Sequence, residues 1–259
     1  MSTGNRSGGR RHYRTGISAD AIIDSALSLT REVGLQAWST RDLATRLDTS
    51  LSVLYRKFGD RAGIEAAVVE RVILRAMPMS SATDWRGWLT DMLAPALLRL
   101  WPYPGVAEWT FFHGPALPSV IPTISRGIEL LRDGGFGEDA PLAYSVAFNT
   151  VISEIALSDQ RRTGRSGVQP TRADFVQVLR APSDTEGHGP DGNTPPQHSA
   201  EEMATFIEQF DAVNPTGAGG GVPCPPDQPP VATSRYFAYL LDSVIAGLQH
   251  QLDARSENR

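Results

Sequence analysis

The stretch Thr40–Arg61, TRDLATRLDTSLSVLYRKFGDR, reads as two short helices joined by a tight turn. Ser39 or Thr40 can cap the first helix, and Asp42, three residues after Ser39, completes a capping-box spacing. Leu43, Ala44 and Leu47 then share one helical face. Asp48-Thr49-Ser50 breaks the period. Ser50 can cap a second helix, whose inward positions are Leu54 and Phe58. Ala44 is small where the two helices should cross. The outer face of the second helix carries Ser52, Tyr55, Arg56 and Lys57. Hydroxyls, an aromatic ring and two cations are the groups that reach base edges and phosphates.

Working outward, residues 18 to 33 read as a helix capped by Ser18, with Ile22, Ala26, Leu29 and Val33 as its apolar stripe and Gly34 at its end. Trp38 should pack as a staple against the helices that follow. Asp60 can cap a fourth helix running to about Met77, with Ile64, Val68, Val69, Val72 and Ile73 inward. Residues 1 to 16 hold four arginines and no acid, and should form a disordered basic arm. Such an arm can lie in a minor groove or along phosphates, or it can be a solvated tail; both readings stay open. Residues 1 to 60 carry nine basic and six acidic side chains, +3, whereas the whole chain of 259 residues carries -5. A basic first quarter on an acidic remainder points to a polyanion at one end. Lys57 is the one lysine among the 24 basic residues, which fits a genome rich in Arg, Ala, Gly and Pro.

Gly34, Thr40-Arg41, Leu43-Ala44, Leu47, Ser50, Leu54-Tyr55, Phe58 and Arg61 resemble the helix-turn-helix signature of the TetR (tetracycline-repressor-like) family, over about residues 17 to 75. The resemblance implies a DNA-binding domain at 17–62 and a connecting helix and break at 63–83. By it, Thr40, Arg41, Tyr55, Lys57 and Arg61 are expected on phosphates, and Ser50, Leu51, Ser52 and Arg56 at base edges. Tyr55 has an alternative place, against the head's own core. There are departures. Asp48 stands where the family usually has Gly, at a position that can need a left-handed backbone, which Asp tolerates better than most residues. Leu51 replaces a residue that is often polar, and Arg61 replaces the usual Lys.

Beyond a break at Pro78–Thr83 the pattern is helical to the end apart from two long loops, so the fold class is all-α: a three-helix head on a larger helical body at 84–259. One helix runs from Trp85 to Leu100, kinked at Pro95. Trp101–His113, WPYPGVAEWTFFH, should be a loop and a short helix. Another helix begins near Pro118 and ends at Gly134-Gly135. The helix from Glu138 to Arg161 is apolar nearly all round and should be buried nearly all round, with Asn149 and Glu154 as a polar pair inside it. Short helices are expected at 172–180 and 199–210, and mobile loops at 181–198 and 214–230. The last helix, from Thr233 to Leu252, carries a broad stripe of Phe237, Leu241, Val244, Leu248 and Leu252. It should bury one side in its own body and the other in a partner. Cys224 is the one cysteine, so no intrachain disulfide and no Cys-based metal site is expected. We find no signal peptide and no apolar run long enough to span a bilayer, and expect a cytoplasmic protein with no membrane partner.

The body resembles the original tetracycline-repressor subgroup in four features. These are the Trp85 start of its first helix, the LLRL end of that helix, the DGGF turn at Asp133–Phe136 and a long loop before the last helices. That resemblance implies a homodimer in which the helix around Val146 pairs with the last helix, through Phe237, Leu241, Val244 and Leu248. It also implies a small-molecule effector cavity, for which Met92, Trp109, Phe112, His113, Phe148, Asn149 and Ile152 are the candidates. The original family member binds its drug with magnesium, but no metal-ligating positions match here, so neither metal nor cofactor is expected. For an enzyme, the candidate pairs are His113 with Glu154 or Asp159. No nucleophile stands with a base at motif spacing, and there is no phosphate loop, so no catalytic residue is expected. The implied function is a ligand-released repressor on a palindromic operator; the alternative is a DNA-binding regulator whose body serves only dimerisation or protein partners.

Overall fold

The computed structural model describes residues 16–77, 79–114, 117–163, 228–229 and 231–257. The basic arm but for Gly16, the short helices at 172–180 and 199–210, Cys224 and almost all of the two long loops lie outside the described residues. Every described element is helical.

The head is α1 (Ala19–Val33), α2 (Thr40–Arg46) and α3 (Leu51–Phe58). Its boundaries are set by local chemistry. Ser18 Oγ accepts the amide of Ala21, and Ser39 and Asp42 close both halves of the capping box. Asp48 sits at φ 48, the left-handed turn its type allows. The buried face of α1 is Ile22, Ala26, Leu27 and Thr30, so the expected stripe is rotated: Leu29 is half-buried and Val33 is exposed. Trp38 is buried and donates Nε1–H to Thr30 Oγ1 at 3.0 Å, which satisfies two interior polar groups at once.

Helix α4 (Arg61–Ala76) starts where Asp60 accepts the amide of Gly63 at 2.8 Å. It packs on α1 and α3 on one side and on the body on the other, and so is shared by both. The body comprises α5 (Trp85–Leu93), α6 (Ala96–Leu100), α7 (Val106–His113), α8 (Ile121–Leu131), α9 (Ala140–Thr163) and α10 (Val231–Glu257). The proline at 95 separates α5 from α6 completely rather than kinking one helix. Gly127 lets α8 lie against Trp88, because a Cβ there would stand 2.1 Å from the indole ring. The Arg132–Phe136 turn brings Phe136 edge-on to Trp85, with centroids 5.4 Å apart. The buried side chains of head and body form one continuous cluster.

The run Ile121–Thr163 has the length and composition of a membrane span, but it is not one rod: Gly135, at φ 107, breaks it, and α8 and α9 pack on each other. One expectation about α9 fails: it is not buried all round. Leu142, Val146, Asn149 and Leu157 lie on one open stripe.

Candidate DNA-reading face and body cavity

The turn between α2 and α3 holds the outer face of α3 away from the core. Val53 and Leu54 point inward, and Ser52, Tyr55, Arg56 and Lys57 point out, with Arg41 of α2 also exposed. Arg41, Arg56 and Lys57 make no ion pair with any described residue. Three like charges thus stand on this face without neutralisation by any described residue. That arrangement costs self-repulsion until an anion arrives. Arg46, by contrast, is spent on a two-pronged pair with Glu32, at 2.6 and 2.7 Å.

Six of the expected DNA contacts also have places within the head itself. Thr40 is 9% exposed and its Oγ1 lies 3.0 Å from the Tyr55 hydroxyl, so these two groups also join α2 to α3. Leu51 is half-buried against the core and presents little to a base edge. Ser50 makes no cap bond to the α3 backbone; its hydroxyl pairs with that of Ser52 at 2.8 Å. Arg61 pairs with Glu65 at 2.7 Å, donates to the carbonyl of Gln36 at 3.2 Å and lies over the Trp38 ring. The i, i+4 spacing of Arg61 and Glu65 was visible in the sequence.

The effector candidates separate into four places. Met92 and Phe148 line an apolar cavity between α4, α5, α7, α8 and α9, together with Met77, Thr110, Thr123 and Tyr144. Its free volume is about 10 Å³, room for roughly one water. The Tyr144 hydroxyl is buried there without a hydrogen-bond partner among the described residues, and burial pushes its pKa up.

Trp109, Phe112 and His113 sit on the opposite face of α7, in an open cleft of about 570 Å³ between α7 and the start of α4. Their i, i+3, i+4 spacing puts them together, and Val106, Ala107 and Thr110 take the buried face instead. Trp109 and His113 stack at 4.1 Å, and His113 Nδ1 donates to the carbonyl of Trp109 at 2.8 Å. Asn149 lies on the open stripe of α9, and Ile152 is fully buried in the core outside the cavity lining. Asp159, weighed above only as a catalytic partner, is held by Arg162 and by the amide of Gly105. Glu154 faces Ser158 and Arg161.

Residues 22–68 match the profile of the bacterial regulatory proteins of the tetR family. The head is thus a tetR-type regulatory domain. Its fold is similar to that of ActR from Streptomyces coelicolor in complex with actinorhodin, at 22% identity and TM-score 0.60, covering 91% of this chain and 98% of that one. It is also similar to the TetR-Q116A protein of Acinetobacter baumannii AYE in complex with minocycline, at 21% identity and TM-score 0.55, covering 90% and 94%. Among curated proteins, no sequence matches it.

In the body behind this tetR-type head the expected dimer residues fall on two different surfaces. Val146 is 47% exposed, with Leu142 and Leu157 beside it on α9. Phe237, Leu241 and Leu248 are at most 4% exposed, and Val244 is partly buried; all four pack on the chain's own core. They have little surface left for a partner, which corrects their assignment. The stripe on α10 is the inward one because α9 and α5 cover it. Tyr239, 74% exposed, marks the outward face of α10.

Proposed function

We propose that the chain is a ligand-responsive repressor that binds a palindromic operator as a homodimer and leaves it when a small molecule occupies the body. The observation that carries this reading is the outer face of α3 and α2, where Arg41, Arg56 and Lys57 stand exposed and unpaired among the described residues on a TetR-family head. Arg41, Lys57 and Tyr55 would hold phosphates. Arg56 and Ser52 would read base edges, and Arg56 on a guanine is worth about 1–3 kcal/mol of discrimination. One such head reads few bases; a two-fold dimer doubles the contacts and sets the recognition helices roughly 34–36 Å apart. The stripe of Leu142, Val146 and Leu157 on α9 supplies an apolar surface for the isologous pairing.

A ligand-responsive body is supported by the unpartnered Tyr144 hydroxyl in an apolar cavity and by the bound compounds of the two similar structures. An effector with a flat apolar body and one acceptor for Tyr144 would suit the lining. It must displace α7 or α8 to enter so small a space, and its differential affinity for the opened body would change operator affinity by the same free energy. A second reading, a regulator with no effector, is favoured by that same volume of about 10 Å³.

The test is fluorescence anisotropy against the chain's own upstream intergenic DNA and random DNA at two salt concentrations. Tight binding to the upstream DNA alone, weakening steeply with salt, supports the operator reader. Equal weak binding to both contradicts it. A thermal-shift screen of compounds like actinorhodin and minocycline, followed by release from DNA, separates the two readings of the body.

A further inference from the structure

The body segment Trp101–Gly105, which links α6 to α7, is held from both sides. From the head, the Leu35 amide donates to the carbonyl of Pro104 at 2.8 Å. Gln36 Nε2 donates to the carbonyl of Gly105 at 3.3 Å. The Arg31 guanidinium lies over the Tyr103 ring at 5.3 Å. From α9, the carboxylate of Asp159 accepts the Gly105 amide at 3.1 Å. Arg162 pairs with the same carboxylate at 2.7 Å, donates to the carbonyl of Trp101 and stacks its guanidinium 4.4 Å above the Trp101 ring. Gly105 stands at φ +88, a conformation that favours glycine, and a Cβ on it would meet Gln36 Oε1 at 2.1 Å and push that side chain out of the seam.

We infer that Asp159 and Arg162 are positioning residues for DNA binding: they lock the 101–105 turn to α9 and thereby fix the angle at which the head sits on the body. Three observations converge on this. First, Asp159 is 2% exposed, and its polar contacts go to the turn's own glycine and to Arg162, which grips the turn's first residue. A carboxylate so deeply buried is costly unless it is engaged; the Gly105 end of the turn engages it directly, and the Trp101 end through Arg162. Second, the turn's outward carbonyls, those of Pro104 and Gly105, are the ones the head uses. Third, the Gln36 carbonyl accepts from Arg61 at the start of α4, so the seam reaches the connecting helix as well. A turn cut loose from α9 would retain its sequence but lose its fixed carbonyl directions, and the head would rotate about α4. The consequence for operator binding rests on the proposed dimeric reading, because fixed heads matter only where two half-sites must be matched.

The test is hydrogen exchange at the Leu35 amide of the full-length protein, comparing wild type, Asp159→Ala and Gly105→Ala. The expected result is exchange about tenfold faster at Leu35 in both variants, the loss of roughly one hydrogen bond's worth of local opening energy, with α8 and α10 unchanged. Gly105→Ala breaks the seam from the turn and leaves α9 intact, so it decides the matter if Asp159→Ala does not fold. Unchanged exchange at Leu35 in the folded variants overturns the inference, and so does acceleration shared equally by α8 and α10. Anisotropy on the upstream DNA is the second arm: the variants should lose affinity for it about tenfold while keeping their affinity for random DNA, which needs only phosphates. Equal loss on both DNAs also overturns the positioning role. If wild type itself does not distinguish the two DNAs, the operator reading fails, while the exchange arm still reports on the lock.

Discussion

The hydroxyl of Tyr55 on α3 lies 3.0 Å from Oγ1 of Thr40, the first residue of α2. Two side chains expected on phosphates therefore brace the two helices of the reading head. Tyr55→Phe leaves the buried Thr40 hydroxyl without this partner and should destabilise the head by about 0.5–1.5 kcal/mol in urea unfolding. Thr40→Val should give a similar loss, and the double variant little more than either alone. Full additivity would show that the contact contributes nothing.

The open stripe on α9 leads to a second expectation. Val146→Asp puts a charge where 47% of the side chain is already in water, so the folded protomer should tolerate it. A dimer buried on that stripe would not tolerate it. Sedimentation equilibrium should show dimers for wild type and monomers for the variant. A variant that remains dimeric at the same concentrations would place the interface elsewhere.

Much of the head was legible because its signals are local. Ser18, the Ser39–Asp42 pair, Asp48 and Asp60 act within four residues of their own positions, and each does what its chemistry indicates. The body was less legible because its questions are about sides. The stripe of Phe237, Leu241 and Leu248 is helical by spacing, but spacing does not say whether α9 of the same chain or a partner covers it. Trp109, Phe112 and His113 looked like pocket walls by composition, yet α7 turns that face outward. The bond from Asp159 to Gly105 spans 54 residues and leaves no periodic trace.

Tyr144 links stability to ligand binding. Its hydroxyl is buried without a partner among the described residues, so Tyr144→Phe should raise stability by about 1 kcal/mol, read as a higher urea midpoint. The same variant should weaken any effector that releases the protein from DNA. A lower midpoint would mean that the hydroxyl is satisfied in solution.

Asp159 gives the protein a pH signature. Burial, opposed by Arg162, raises its pKa from 3.8 to about 6. The folded state therefore binds this proton more tightly than the unfolded chain does. Its favourable contribution is complete below about pH 4 and is lost as pH rises through about 6. Relative to Asp159→Asn, wild type should lose about 2–3 kcal/mol between pH 4 and pH 7.5 in urea unfolding. Glu32 and Asp42, whose pKa values are lowered by hydrogen bonds from Arg46 and Ser39, pull the other way. They are present in both proteins and cancel in the difference. Parallel pH curves for the two proteins would show that Asp159 titrates normally.

The claim at the centre of this account is that two copies of α3 read two half-sites, and a protection footprint on the upstream intergenic DNA tests it most directly. We predict two protected patches related by a two-fold axis, their centres about one helical turn apart, both lost in Arg56→Ala while weak uniform protection remains. A single unpaired patch, or a footprint that survives Arg56→Ala unchanged, would contradict it.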